Sequence, residues 1–266
     1  MSPDEGRDKP FDPFNLEDDP VYMVHRLTPR NWVELAEFAA RVLRLGQVVA
    51  LPTDTVYGLA ASARNRNGVW RLYEAKKRDK QKPLAVCMAD VKDVSMFMHT
   101  EHLPPRLLRK LLPGPVTLLL RQRDEYKGFE WCAPEVEDMH GWDLVKRLAI
   151  NLNQTGSGVL GVRIPDSEFV REVSRQLGDP LALTSANPSG ATECASVDAF
   201  RSLWVECAAI FDGGTLPSPV MPSTVIDLTE PGAFRITRAG WAVDDVVQLL
   251  RGRFGLEDRT EKPAGK

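Results

Sequence analysis

A loop that carries two hydroxyls and a carboxylate follows a short apolar run in the first quarter of the chain. Residues 48–51 have the character of a strand, and Pro52 ends its pairing. Thr53, Asp54 and Thr55 come directly after it. Because ligands of α/β proteins collect at strand ends, these side chains are candidates to hold a polar small molecule. The same residue types are common in ordinary turns, so this loop alone does not decide the function.

A dense cationic cluster follows the next helical pattern. Val69, Leu72 and Tyr73 repeat at helical spacing, and the cations begin at the expected last turn. Charge of this density is enough to hold a polyphosphate. Helix C-termini, however, favour cations by about 0.3–1 kcal/mol each, so a solvated helix end is the more common explanation of the charge alone. The cluster consists of Lys76, Lys77, Arg78, Lys80 and Lys82, with Asp79 as the only acid among them.

Arginines occur in two further apolar strands. Thr117 and Arg121 stand four residues apart on one expected strand, and therefore on the same face. Arg121 can grip a carboxylate with two guanidinium nitrogens or point to water from an edge strand, and the sequence leaves both readings open. Arg163 lies within another apolar strand, and buried arginines usually have an anion or an acid as a partner.

Polar residues recur where the later strands end. Ser185 and Asn187 follow an expected strand, in a loop whose side chains and backbone N–H groups can cradle phosphate or ribose. Ser223 and Arg238 flank the strands of an expected hairpin. Each signal is weak alone. Together with the threonine loop and the cationic cluster, they indicate one site for a nucleotide and an amino acid.

The composition and the remaining motifs argue against several classes of function. A net charge of −3 and a pI near 5.9 argue against an extensive nucleic-acid-binding surface. The cysteines form no C-x-x-C pair and the histidines no H-E-x-x-H pattern, so a protein-built metal site is not expected. Residues 156–161 match G-x-G-x-x-G but lead into a strand, whereas the dinucleotide motif follows one. No apolar run reaches the roughly 18 residues of a membrane span.

Strands and helices alternate along the chain, which predicts an α/β fold. One helix is expected to begin with Thr28 as its N-cap and to end at Gly46. Another is expected over residues 167–177, closed by Gly178. The hairpin expected within residues 224–237 makes the predicted sheet a mixed one.

The chain is expected to contain one large domain with a segment at either end. Residues 1–20 are predicted to be a disordered acidic lead, 21–252 the domain and 253–266 a charged tail. Residues 121–158 form a long excursion, which serves either as a lid over the site or as a surface for a partner. The acidic lead lacks the composition of secretory and mitochondrial signals, so a cytoplasmic protein is expected. A mitochondrial form would need a different N-terminus.

Six motifs, in order, resemble those of the YrdC family, the L-threonylcarbamoyladenylate synthases. The animal single-domain form is the most similar, because residues 84–87 and 210–214 also fit. Many relatives have His at the position of Cys87 and Asn at that of Lys82, so these two residues are left outside the expected site. The resemblance covers roughly residues 30–245, and its motifs are residues 52–59, 75–78, 113–117, 163–165, 184–187 and 223–227.

The resemblance implies an open twisted mixed sheet flanked by helices, with a positively charged concave active site. It implies an enzyme that makes threonylcarbamoyl-AMP and diphosphate from L-threonine, bicarbonate and ATP. Mg²⁺ would arrive with the ATP, without a metal site built by the protein. The product would supply a separate complex that modifies a tRNA adenosine beside the anticodon, and direct binding of tRNA would be weak or transient.

The resemblance also assigns the site residues by ligand. Lys76 and Arg78 would be the catalytic cations, which hold the phosphates of ATP. Arg121 would bind the carboxylate of L-threonine, and Thr117 would lie between the two ligands. Arg163 belongs to the site by its motif, with its ligand left open. The L-threonine set is Thr55, Arg121, Leu183 and Ser223, and the nucleotide set is Arg78, Thr117, Ser185, Asn187 and Arg238.

Two other functions are compatible with parts of the same sequence pattern. A double-stranded RNA-binding or ribosome-maturation factor would reuse the basic concavity without catalysis, but the acidic pI argues against it. A carbamoyl-adenylating module of hydrogenase maturation shares the domain, but it is attached to zinc-binding cysteine pairs, which this chain lacks.

Overall fold

An open mixed sheet of eleven strands runs through the part of the chain that the computed structural model describes, residues 23–77, 84–123, 158–187, 194–217 and 220–260. The strands lie side by side in the order β1-β8-β2-β3-β7-β4-β6-β5-β9-β10-β11. Their bounds are β1 Val24–Arg26, β2 Val49–Leu51, β3 Gly58–Ser62, β4 Ala85–Cys87, β5 Val116–Arg121, β6 Val159–Arg163, β7 Leu181–Ser185, β8 Ala209–Asp212, β9 Thr224–Asp227, β10 Ala233–Arg238 and β11 Glu257–Asp258.

Helices connect these strands, as the alternating sequence pattern predicts. A 3₁₀ helix spans Val197–Glu206, and a short π-helical turn, Leu249–Arg253, continues the last α-helix. The α-helices are α1 Trp32–Arg44, α2 Arg66–Ala75, α3 Val91–Phe97, α4 Leu107–Leu111, α5 Glu168–Leu177 and α6 Val243–Gln248.

The sheet mixes parallel and antiparallel pairs. The predicted hairpin is confirmed, because β9 and β10 pair antiparallel, with Ile226 opposite Ile236. Strand β3 departs from the sequence-based prediction, in which a loop runs from Pro52 directly into a helix. In the structure β3 pairs antiparallel with both β2 and β7. The threonine loop is therefore the connection between two neighbouring strands of the sheet.

The two faces of the sheet are packed differently. Val48 and Ala50 belong to a large apolar cluster on one face, and Val49 and Leu51 to a second cluster on the other. The second cluster is built by α1 and α5 against β2, β3, β7 and β8, with Cys87 from β4 at its margin. This alternation is the period of two that a strand buried on both faces requires.

The ends of the two helices on that face agree in part with the sequence. Helix α5 begins after Ser167, whose hydroxyl accepts from the backbone N–H of Val170, and ends at Gly178 with φ +78°, as predicted. Helix α1 begins later than predicted, with Asn31 rather than Thr28 at its N-cap. Thr28 instead starts a turn in which its backbone N–H donates to the Asn31 side chain at 2.8 Å.

The structure describes only some of the segments into which the sequence-based prediction divides the chain. The predicted disordered lead and most of the 121–158 excursion lie outside the described residues. Within the predicted tail, Glu257–Asp258 pairs with β10 and Leu256 is buried in the large cluster. None of the helices in the described ranges has the length and apolar character that crossing a bilayer requires.

Phe211 provides a test of the smaller apolar cluster. Its side chain is fully buried, and its ring contacts His25, Phe38 and Phe169 at centroid distances of 5.6, 6.3 and 5.1 Å. Because Phe211→Ala leaves a cavity between β8 and the helices, we expect it to lower the free energy of unfolding by about 3–5 kcal/mol. Urea denaturation measures this change. The exposed Val205→Ala is the control, with an expected change within about 0.5 kcal/mol, and a comparable value for both variants would contradict the packing described.

Candidate active site

A cavity opens on the sheet face that α1 and α5 cover only in part. Leu183 marks the boundary, since it packs in the cluster of these two helices and also lines the cavity. Beyond it the cavity extends over β4, β6, β5 and β9, and its volume is about 350 Å³, which is within the range of small-molecule sites. Its polar lining residues are Thr53, Thr117, Arg163, Thr184, Ser185, Ser223 and Arg238.

Small residues keep this face concave. Ala85 and Gly161 lie on adjacent strands in the cavity floor. A Cβ atom at Gly161 would come within 3.2 Å of the Thr117 Cγ2 atom. At Gly58, a Cβ atom would come within 2.8 Å of Leu183 Cδ1. Larger side chains at these positions would therefore fill the space or displace residues that line it.

Arg163 reaches from β6 into the threonine loop. Its side chain is 7% exposed and forms an ion pair with Asp54, which is 10% exposed. The same guanidinium nitrogen, Nη2, donates to Thr55 Oγ1 at 2.6 Å and approaches Thr53 Oγ1 at 3.5 Å. The sequence-based expectation that this buried arginine has an acid or an anion as a partner is fulfilled by Asp54.

The threonine loop is held by its own hydrogen bonds. Thr53 Oγ1 donates to the Val56 carbonyl at 2.7 Å and accepts from the backbone N–H groups of Thr55 and Val56, at 3.1 and 3.3 Å. Thr53 and Thr55 are both buried, and their hydroxyl oxygens lie 3.2 Å apart. The loop therefore presents a fixed arrangement of hydroxyls beside Arg163.

Thr117, Ser223 and Arg238 form a second group. Thr117 Oγ1 and Ser223 Oγ lie 2.8 Å apart. Arg238 Nη2 donates to both the hydroxyl and the carbonyl of Ser223, at 3.0 and 2.9 Å. Gly240 permits this arrangement, since a Cβ atom there would lie 2.3 Å from the Pro222 carbonyl oxygen. Arg238, which is predicted to bind the nucleotide, thus contacts Ser223, which is predicted to bind L-threonine.

Lys76, Ser185 and Asn187 form a third group, between α2 and β7. Lys76 is buried, and its Nζ donates to the backbone carbonyl of Asn187 and lies 3.3 Å from the Asn187 side-chain oxygen. Ser185 Oγ donates to the same side-chain oxygen at 2.5 Å. Lys76 and the Ser-x-Asn segment therefore meet in space, although more than a hundred residues separate them in the sequence.

Arg121 and Arg78 are not brought into these groups. Arg121 lies at the exposed end of β5, four residues and about 13 Å along the strand from Thr117, and it does not line the cavity. Arg78 and Lys82 lie outside the described residues. The assigned roles of Arg121 and Arg78 stay predictions, as does the overall positive charge of the concave site.

The sequence marks Asp54 and Thr53 as candidates to hold a polar ligand, but the family resemblance assigns neither of them a ligand. Their importance comes from Arg163, more than a hundred residues away in the chain. An arginine inside an apolar strand does signal a buried acid, but the sequence does not say which acid is near it. Gly161 was likewise mentioned only as part of a rejected dinucleotide motif, and its place within β6 confirms that rejection.

Cys87 lies just below this site, opposite Arg163 in the pairing of β4 with β6. It is fully buried, as expected for a small core residue. Burial raises the pKa of the Cys87 thiol to about 12, and the nearby Arg163 charge offsets this only in part. Cys87 is therefore a neutral thiol near pH 7 and is no candidate for a nucleophile. No cluster of three or more potential metal ligands occurs in the described ranges.

The fold and the cavity define an α/β protein with an open mixed sheet and a concave site, which is lined by hydroxyls and two arginines. The chain belongs to the Sua5/YciO/YrdC family, whose sequence profile is described as "Telomere recombination" and matches residues 41–240. The resemblance noted in the sequence is thereby confirmed.

Relatives with assigned names agree with this family. A threonylcarbamoyl-AMP synthase of Rattus norvegicus is 36% identical over 85% of this chain and 74% of its own length. The protein of that name in Homo sapiens is 35% identical over the same shares. The threonylcarbamoyl-AMP synthase of Bacillus subtilis is 31% identical over 85% of this chain and 60% of its own length.

Solved structures share the architecture. The crystal structure of Pyrococcus abyssi Sua5 complexed with L-threonine has a TM-score of 0.66 and 26% identity, over 89% of this chain and 62% of that one. Escherichia coli YciO has a TM-score of 0.63 and 22% identity over 83% of this chain and 94% of its own, a likeness of fold alone. The predicted mixed sheet flanked by helices is thus confirmed.

Alkylation tests the environment of Cys87. Because the raised pKa and the burial of Cys87 both suppress the reactive thiolate, we expect iodoacetamide at pH 8 to leave Cys87 unmodified in the folded protein. Peptide mass spectrometry measures the modified fraction. The same protein in urea is the control and should be fully modified at Cys87. Equal labelling of Cys87 in both states would show that the reagent reaches this thiol in the folded protein, which would contradict its burial.

Proposed function

We propose that this chain is a threonylcarbamoyl-AMP synthase, which converts L-threonine, bicarbonate and ATP into threonylcarbamoyl-AMP, diphosphate and water. The observation that carries the proposal is its 36% identity, over 85% of its length, to a relative of that name. The cavity supports it with its lining hydroxyls and two lining arginines, and Lys76 lies beside Asn187, two residues from the lining residue Ser185.

We assign the binding of L-threonine to the threonine loop and the Ser223 side of the cavity. Ser223 offers a hydroxyl and Leu183 an apolar wall for the substrate methyl group within the cavity lining. Thr55 is buried and does not itself line the cavity, but its loop neighbours Thr53 and Val56 do. The Pyrococcus abyssi Sua5 structure with L-threonine supports an amino-acid site in this fold. Arg121 remains the proposed partner of the substrate carboxylate, although it lies at the exposed end of β5 and outside the cavity lining.

We assign the nucleotide to the side of the cavity where Lys76, Ser185 and Asn187 meet. Lys76 and Arg78 would neutralise the phosphates, since ammonium and guanidinium groups form charge-assisted hydrogen bonds with phosphate oxygens. Arg238 and Thr117 would lie between the two ligands, which their hydrogen bonds to Ser223 support. The contact between Lys76 and the Asn187 carbonyl would be exchanged for a phosphate contact when ATP binds.

The proposed chemistry needs no side-chain nucleophile. The threonine amine reacts with bicarbonate to give a carbamate, and a carbamate oxygen then displaces diphosphate from the α-phosphate of ATP. Holding the reactants together and neutralising the phosphate charge would supply the catalysis. Mg²⁺ would be bound mostly by the phosphates and water.

We further propose that the adenylate serves a separate complex that transfers the threonylcarbamoyl group to tRNA. Direct tRNA binding by this chain would be weak or transient. The cytoplasmic location, the disordered lead and the role of the 121–158 excursion as a lid or as a partner surface stay predictions.

A direct assay tests the reaction. Purified protein is incubated with ATP, bicarbonate and amino acid, and both diphosphate and the adenylate are measured. We expect product with L-threonine and little with serine or glycine, because the cavity offers an apolar wall beside its hydroxyls. Equal turnover with serine or glycine would overturn the assigned substrate. No adenylate, combined with tight and strongly salt-dependent binding of double-stranded RNA, would favour the non-enzymatic alternative.

Charge removal tests the phosphate assignment. Lys76→Ala and Arg78→Ala each remove a charge-assisted hydrogen bond, so we expect the KM for ATP to rise roughly tenfold or more. Steady-state kinetics at saturating L-threonine measure this, with circular dichroism as a check on folding. The matched control is Lys92→Ala, at an exposed position on α3, which should behave as the wild type. Wild-type kinetics in both site variants would contradict the proposal that Lys76 and Arg78 bind the phosphates of ATP.

A further inference from the structure

The buried Asp54–Arg163 ion pair carries an inference about how the threonine loop recognises its ligand. Both side chains are at least nine-tenths buried, and only Arg163 belongs to the cavity lining. The ion pair takes up the charge of Arg163, so this arginine is not an open binding site for an anion. Its role must instead come from the hydroxyl that it contacts, Thr55.

The guanidinium fixes one side of the Thr55 hydroxyl. Arginine has N–H donors and no acceptor, so the 2.6 Å contact between Arg163 Nη2 and Thr55 Oγ1 uses a lone pair of the threonine oxygen. The hydrogen of Thr55 is consequently available for another partner.

Thr53 is a poor partner for that hydrogen. A hydroxyl has one hydrogen to donate and two lone pairs. Thr53 gives its hydrogen to the Val56 carbonyl, and its lone pairs already accept from the backbone N–H groups of Thr55 and Val56. Its oxygen is also 3.2 Å from Thr55 Oγ1, which is long for a bond between hydroxyls. The Thr55 hydrogen is therefore left for a ligand that enters the cavity beside Thr53 and Val56, the loop neighbours of Thr55 that line it.

We propose that Asp54 is a positioning residue that holds Arg163 against Thr55 and thereby makes the Thr55 hydroxyl a hydrogen-bond donor to an oxygen of the amino-acid substrate. This inference rests on the function proposed above and adds a role for two residues to it. The ligand group at Thr55 is an acceptor, such as a carboxylate oxygen.

The ion pair is the interaction that fixes the guanidinium. Arg163 Nε and Asp54 Oδ2 are buried, and neither has a hydrogen-bond partner among the described residues. The hydrogen bonds that orient Arg163 are therefore those that its Nη2 donates to Asp54 and Thr55, with Thr53 Oγ1 as a longer contact at 3.5 Å. Without the carboxylate, the guanidinium is free to turn away from Thr55.

Chemical rescue tests the proposal. Asp54→Ala leaves room for a small carboxylate beside Arg163. We expect this variant to raise the KM for L-threonine roughly tenfold and the KM for ATP less than twofold, as loss of one ordered donor predicts. Formate should restore the KM for L-threonine, whereas formamide, which has a similar size and no charge, should not. The control is Asp166→Asn, at an exposed acid near Arg163 in sequence, which should bind L-threonine as the wild type does.

A double variant separates positioning from folding. Removing one partner of a buried ion pair is strongly destabilising, whereas an apolar replacement of both charges is tolerated. In Asp54→Leu/Arg163→Met, we expect thermal stability to return towards the wild type while the KM for L-threonine stays raised. This variant also decides the question if Asp54→Ala fails to fold.

Two results would overturn the proposal. One is a wild-type KM for L-threonine in the double variant, which would show that the pair serves stability alone. The other is rescue of Asp54→Ala by formamide as well as by formate. An inactive wild-type protein in the same assays would instead refute the proposed function, so the two failures are distinguishable.

Discussion

The burial of alternate residues from neighbouring strands is the constraint on which the site depends. Val86, Val162, Leu118 and Ile226 all pack into the large apolar cluster on one face of the sheet. Because side chains alternate along a strand, their neighbours are forced to the opposite face. Helices α1 and α5 cover that face only over the other half of the sheet. The uncovered half becomes the cavity, whose lining combines hydroxyls and arginines with small and aliphatic residues.

Side chains in this cavity are positioned mainly by one another. Arg163 is held by an acid and a hydroxyl of the threonine loop, Arg238 by Ser223, and Lys76 by Asn187. Polar groups that are buried in a low-dielectric environment must find such partners, and the partners in turn limit the orientations that each group can adopt. A site of this kind suits a reaction in which the substrates supply the nucleophile and the protein supplies alignment and charge. The family relationship and the inventory of side chains thus lead to the same chemistry.

Much of this arrangement follows from the sequence, and the exceptions have physical reasons. Helix α5 has a serine cap and a closing glycine, and β9–β10 is a hairpin of alternating residues, so local pattern was sufficient for both. Strand β3 was missed because Gly58–Ser62 contains mostly small residues without β-branching, and its place comes from pairing with β2 and β7. The partnership of Asp54 with Arg163 depends on how β6 lies relative to the threonine loop, which one sequence does not reveal. Motif order placed Arg121 in the site, yet the described structure leaves it at an exposed strand end.

Strand pairing between distant parts of the chain has a consequence for synthesis on the ribosome. Strand β1 pairs with β8, and β5 pairs with β9, so early strands find neighbours only after most of the chain has been made. Ser223 and Arg238 come from the last fifth of the sequence, while Thr55 comes from the first quarter. A nascent chain that has not yet released these late residues from the exit tunnel has the threonine loop but lacks the opposite wall of the cavity. The cavity is therefore complete only when translation is nearly finished, because the wall formed by Ser223 and Arg238 is made last.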